Sequence, residues 1–116
     1  AMNDLDAIKK KLCQFAHARD WDQFHSPKNL SMALAGEAGE LLELFQWLTE
    51  EQSKNLTVEQ YHAVEEEVAD IFIYLLQLAD RLDINLLDAA QKKMAKNEIK
   101  YPAEKVKGRS KKYTEY

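Results

Sequence analysis

The sequence predicts an all-α fold, four helices packed as a bundle, on three observations. Glycine and proline are scarce, 3 and 2 in 116 residues, where an average chain of this length holds about 14. A fold of many short strands joined by tight turns is thereby excluded. Apolar residues make up 46% of the chain and recur at spacings of three and four over four segments. Each segment also carries helix start or stop signals.

The first helix runs from Asp4 to about Arg19 on a stripe of Leu5, Ile8, Leu12, Phe15 and Ala16. Trp21 and Phe24 follow in a connecting segment. Ser26-Pro27 supplies an N-cap and a proline at the first helical position, where its missing N–H is harmless, and the second helix continues to about Thr49. Thr57 with Gln60 forms a capping box for a third, which reaches about Leu82. Asn85 with Asp88 opens a fourth, ended by Pro102. The length fits one domain with one core, residues 2–102, Ala1 before Met2 reading as a remnant of an expression tag. Residues 103–116 form a tail made basic by Lys105, Lys107, Arg109, Lys111 and Lys112. It reads either as a solvated end or as an arm folding over an anionic ligand or a neighbouring subunit.

Charge narrows the function. A net charge of -4 argues against nucleic acid as the main partner, because phosphate backbones recruit basic faces. The single Cys13 permits no internal disulfide and no zinc pattern, which fits a reducing compartment. The most apolar stretch, Ile71 to Ala79, is far short of the roughly 20 residues a bilayer needs, and no signal peptide is visible. The expectation is a soluble, cytoplasmic protein with neither nucleic-acid nor membrane partners.

An internal similarity is more specific. Glu37-x-x-Glu40-Leu41-x-x-Leu44-Phe45-x-x-Leu48 matches Glu67-x-x-Asp70-Ile71-x-x-Tyr74-Leu75-x-x-Leu78 at an offset of 30 residues. Both acid pairs border the apolar stripe of their helix, so two antiparallel helices packed by these stripes bring all four carboxylates together. Like charges held close and half buried raise each other's pKa and require a cationic partner. Between Asn29 and Ile73 the only Lys or Arg is Lys54. A hard divalent metal, Mg²⁺ or Mn²⁺, is the natural partner for such oxygens. A di-iron bundle would need two inward Glu-x-x-His motifs; only Glu59-x-x-His62 is present, and His62 falls opposite the stripe.

Glu37-Ala38-Gly39-Glu40-Leu41 followed by Glu67-Val68-Ala69-Asp70 resembles the ExxE…ExxD signature of the MazG-like all-α nucleoside triphosphate pyrophosphohydrolases. The similarity is closest to the dCTP pyrophosphatase branch. It extends in order through Arg19-Asp20-Trp21, Phe24-His25, Pro27-Lys28-Asn29-Leu30, Leu44-Phe45-Gln46-Trp47, Ile73-Tyr74-Leu75, Lys93-Met94, Asn97, Tyr101-Pro102 and Lys112-Tyr113-Thr114-Glu115. The resemblance implies a Mg²⁺-dependent enzyme that cleaves nucleoside triphosphates between the α and β phosphates, giving monophosphate and pyrophosphate for nucleotide-pool house-cleaning. It implies Glu37, Glu40, Glu67 and Asp70 as metal ligands, with Glu37 or Glu40 taking the proton of the attacking water.

Trp47 and Trp21 are the implied walls of the base, with Asn29, His25 and Tyr74 nearby. Lys93, Asn97 and Tyr101 stand four apart on one face of the fourth helix, which the resemblance puts against phosphates and base. The dCTP-preferring members carry a His at the position of Leu12, which cannot hydrogen-bond a cytosine, so the expectation is activity on several dNTPs, dCTP and dATP among them. A homodimer or a dimer of dimers is expected, with sites at or near its interface. One chain has too few partners to cover the run at residues 71–79 together with Trp21, Trp47 and Phe72, and the family behaves this way. The alternative is a non-catalytic helical module that keeps the acids as a structural metal site or a nucleotide sensor.

Overall fold

A computed structural model describes residues 4–108. Its elements are helical: α1 (Asp4–Ala18), a 3-10 turn (Asp22–Phe24), α2 (Pro27–Phe45), α3 (Glu50–Lys54), α4 (Val58–Arg81), α5 (Leu86–Lys100) and α6 (Ala103–Val106). Contacts divide the chain into two compact units, Ala1–Asp83 and Ile84–Tyr116.

Four helices begin on the caps their sequences carry. Ser26 accepts from the Asn29 N–H ahead of Pro27, Thr57 and Gln60 form a reciprocal capping box, and Asn85 accepts from the Asp88 N–H. Each cap satisfies backbone donors that the helix leaves open. The fourth cap corrects the expected boundary of the second helix. That helix ends at Phe45, four residues before Thr49, which caps the short α3 with a second Thr-x-x-Gln box. The apolar period running through Leu48 concealed the break. In the tail, α6 starts behind Pro102; Arg109, Lys111 and Lys112 lie outside the described residues.

In the first unit α4 is the central element, packed along α2 and against α1. Arg81 at its end binds Asp22, just before α2, while Glu67 near its middle meets Glu37, so α2 and α4 run antiparallel. The fully buried residues are few: Leu30 from α2, Leu76 and Ala79 from α4, and Ala16 from α1. Asp22 fixes the α1–α2 connection, accepting from Arg81 Nη2 at 3.2 Å and facing His17 Nδ1 at 3.2 Å. Asp20, with φ 55°, turns the chain there, and the Trp21 N–H donates to the Ala16 carbonyl at 2.9 Å.

Burial is uneven around α4. Val68 is 50% exposed, Phe72 40% and Leu75 37%, because α1 and α2 cover the Leu76 and Ala79 side of α4 and leave the adjoining strip open.

The second unit consists of α5 and α6. Lys93, Asn97 and Tyr101 keep their four-residue spacing, and the Tyr101 N–H donates to the Asn97 carbonyl at 2.8 Å, closing the end of α5.

Leu76 has no exposed surface. Leu76→Ala is expected to cost about 2–5 kcal/mol in chemical denaturation, whereas Ile99→Ala, at a side chain 79% exposed, is expected to stay within about 0.5 kcal/mol.

Candidate functional site

The acid pairs of α2 and α4 meet as their phase requires. Glu37, Glu67 and Asp70 each place a carboxylate oxygen within 4.8 Å of the others. Glu37 and Glu67 are half buried. One oxygen of each, Oε2, is screened from water and has no hydrogen-bond partner. An ionised carboxylate only accepts, so facing carboxylates cannot satisfy each other; a shared proton or a cation must lie between them.

The pKa values move accordingly. Glu37 is raised, first by the facing Glu67 carboxylate, then by burial and by the negative charges of Glu67 and Asp70, with Glu40 opposing in part. Glu40 is raised chiefly by Glu37. It borders the cluster, and its oxygens are not among the three that converge. Among the described residues no ion pair reaches these acids: Lys9 pairs with Asp80, Arg81 and His17 with Asp22, and His62 with Glu65. Oxygen-only donors, two of them orphaned, fit a hard divalent cation better than a soft metal.

Gly36 and Gly39 flank Glu37 on α2. A Cβ at either would meet no atom within 4 Å, so these small residues leave open space beside the acids.

A cavity of about 480 Å³ opens between α1, the α1–α2 connection and the C-terminal turns of α4. Leu12 and His25 line it. So do Cys13, which the sequence offered only as a lone thiol, and Gln77, which sequence reasoning passed over. The Cys13 thiol donates to Asp80 Oδ2 at 3.4 Å, and burial together with that carboxylate raises its pKa. For Gln77 a signal existed: it stands seven residues, two helical turns, beyond Asp70.

The remaining candidates fall differently. The Trp21 ring packs edge-to-face on Phe15 at 5.6 Å, and Arg19 covers Phe15 with its guanidinium 3.5 Å from the ring centre. Asn29 donates its amide to the Phe24 carbonyl at 3.0 Å, bracing the loop. Neither Trp21 nor Asn29 lines the cavity. Tyr74 is half buried on α4, one turn beyond Asp70. Trp47 stands 85% exposed just after α2. Lys93, Asn97 and Tyr101 belong to the second unit.

Comparison with known proteins adds to this geometry. The pattern of the MazG-like family matches residues 33–116. Human dCTP pyrophosphatase 1 (Homo sapiens) is 43% identical over 113 residues, 96% of this chain and 66% of its own length. The bovine protein of that name (Bos taurus) is 42% identical over 113 residues, 96% of this chain and 67% of its own. The chain thus spans about two thirds of the curated relatives it matches. Among solved structures, a pyrophosphatase from Archaeoglobus fulgidus DSM 4304 superposes with a TM-score of 0.83 at 39% identity, over 88% of this chain and 95% of that one.

The raised carboxyl of Glu37 has a consequence for the metal-free protein. A folded state that holds this proton more tightly than the unfolded chain loses that stabilisation as pH climbs from the ordinary Glu value of 4.5 through the raised one. Thermal melts in chelator are therefore expected to show Glu37→Gln gaining on the wild type as pH rises above 4.5. A gap between the two that does not change with pH would refute the assignment.

Proposed function

The chain belongs to the MazG-like family, and on that premise we propose that it is a hydrolase cleaving nucleoside triphosphates between the α and β phosphates, releasing pyrophosphate. The convergence of Glu37, Glu67 and Asp70, with two orphaned oxygens, carries the proposal. The names of the relatives support the reaction class: dCTP pyrophosphatase 1 and a pyrophosphatase. The substrates proposed are deoxynucleotides, dCTP and dATP among them, and the role is nucleotide-pool house-cleaning in the cytoplasm.

Glu37, Glu67 and Asp70, with Glu40 at their border, would hold Mg²⁺, or Mn²⁺ in its place. When bound, the ion supplies positive charge between the carboxylates and the polyphosphate and acidifies water at the site. The side chains do the rest. Three ligands converge from two packed helices, so the anionic wall is fixed before substrate arrives. Glu40, outside the converging three, is the carboxylate left to take the proton of the attacking water; Glu37 supports it by raising its basicity. Lys93 would neutralise the polyphosphate and Asn97 would hydrogen-bond it, with Tyr101 on the same face, the roles that the family resemblance gives them. Tyr74 lies between the acids and the cavity, which His25 borders.

Assembly into a dimer or dimer of dimers belongs to the same proposal. Trp47 at 85% exposure and the strip of Val68, Phe72 and Leu75 are surfaces that a second copy would cover. Trp47 of the second copy would then wall the base site at the interface, while Trp21 acts from its perch on Phe15 and Asn29 by holding the loop.

Incubation with dCTP or dATP and Mg²⁺ is expected to yield monophosphate and pyrophosphate, separated by chromatography, with activity abolished by chelator. Glu40→Gln and Asp70→Asn are expected to lose at least about 100-fold in kcat while keeping the wild-type circular dichroism. Orthophosphate released without added pyrophosphatase would overturn the bond assignment, and tight dNTP binding without product would make the protein a nucleotide sensor instead. Size-exclusion chromatography should show a species larger than the 13.4 kDa chain; a stable monomer would refute the assembly.

A further inference from the structure

Along α4 the polar residues Glu67, Asp70, Tyr74, Gln77 and Arg81 succeed one another at spacings of three, four, three and four. At about 100° per residue they share a sector roughly 80° wide. One end of this seam is the acid cluster; the other enters the cavity of about 480 Å³. From Asp70 to Gln77 the rise along the helix is about 10 Å, a separation of the same order as that between the phosphates and the base edge of an extended nucleotide.

The cavity has the character of a site for a neutral heterocycle. Its volume lies within the usual range for small ligands. Leu12, Ala16 and Leu76 supply an apolar wall. The charged groups around it are paired with one another: Asp80 takes Lys9 and the Cys13 thiol, and Asp22 takes Arg81 and His17. A phosphate would have to break those pairs. Gln77 differs, since its Oε1 is screened from water and has no hydrogen-bond partner. A buried acceptor without a donor is costly, and Gln77 is among the residues that line the cavity.

We propose that Gln77 is the residue that reads the nucleobase, its amide pairing with the edge of an amino-bearing base, cytosine or adenine. The exocyclic amino group donates to Oε1 and the neighbouring ring nitrogen accepts from Nε2, the bidentate match that glutamine makes to such edges. This rests on the pyrophosphohydrolase reading and adds the residue that sets base preference.

Two measurements test it. In kinetics with Mg²⁺, Gln77→Leu, close in size and compatible with the helix, should raise KM for dCTP and dATP about 10-fold or more, with dTTP much less affected. An equal change for all bases, or none, would overturn the assignment. In the wild-type protein, the side-chain amide resonances of Gln77 should shift on titration with dCMP and not with inorganic pyrophosphate. Resonances indifferent to dCMP would overturn it without recourse to a variant. If no dNTP is hydrolysed and dCMP still moves these resonances, the catalytic reading fails and Gln77 remains the contact to the base.

Discussion

Carboxylates that face one another across a helix pair set the terms for this molecule. Glu37, Glu67 and Asp70 are brought within 4.8 Å by the packing of α2 on α4, and no cationic side chain in the described residues answers them. The packing that stabilises the first unit therefore creates an electrostatic demand that its own ion pairs do not meet. Those pairs lie elsewhere, at the end of α4, where Asp22 and Asp80 hold Arg81 and Lys9. Charge is separated along one helix: an uncompensated negative pole near its middle and a neutralised cluster near its end.

The same helix carries the core. Leu76 and Ala79 are buried and the acids sit two to three turns upstream, so the geometry of the cluster is only as firm as the α2–α4 contact. Few residues are fully buried, and the uncovered strip at Val68, Phe72 and Leu75 borders the helix that supplies two of the acids. Whatever covers that strip would also stiffen the frame in which the acids are held.

Much of this could be read from the sequence because it rests on local rules. Caps at Ser26, Thr57 and Asn85 obey spacing alone, and the 30-residue offset between the two acid pairs encodes their meeting, since helix phase and an antiparallel partner are enough to bring them together. What escaped depended on contacts between distant residues or on short signals overridden by longer ones. The Thr49-x-x-Gln52 box was hidden by an apolar period that ran up to Leu48, immediately before it. The edge-to-face contact of Phe15 with the Trp21 ring is of this kind, since nothing in the local pattern around Trp21 reports it. The cavity needed α1, a loop and the end of α4 in one place, and no local pattern reports that. Glu40 stands at the border: the motif treats it as equal to Glu37, and its oxygens are not among the three that converge.

Gly36 and Gly39 stand on α2 where, among the described residues, nothing beyond their own turn of helix would obstruct a methyl group. A glycine inside a helix gives up roughly 0.5–1 kcal/mol relative to alanine, so folding alone favours alanine at both positions. Two such sites beside the acids mark a stretch of helix that is tuned below its attainable stability. A directed-evolution campaign selecting only for heat resistance would converge on this spot early, and would trade function for robustness there if the open space serves a ligand or a second copy.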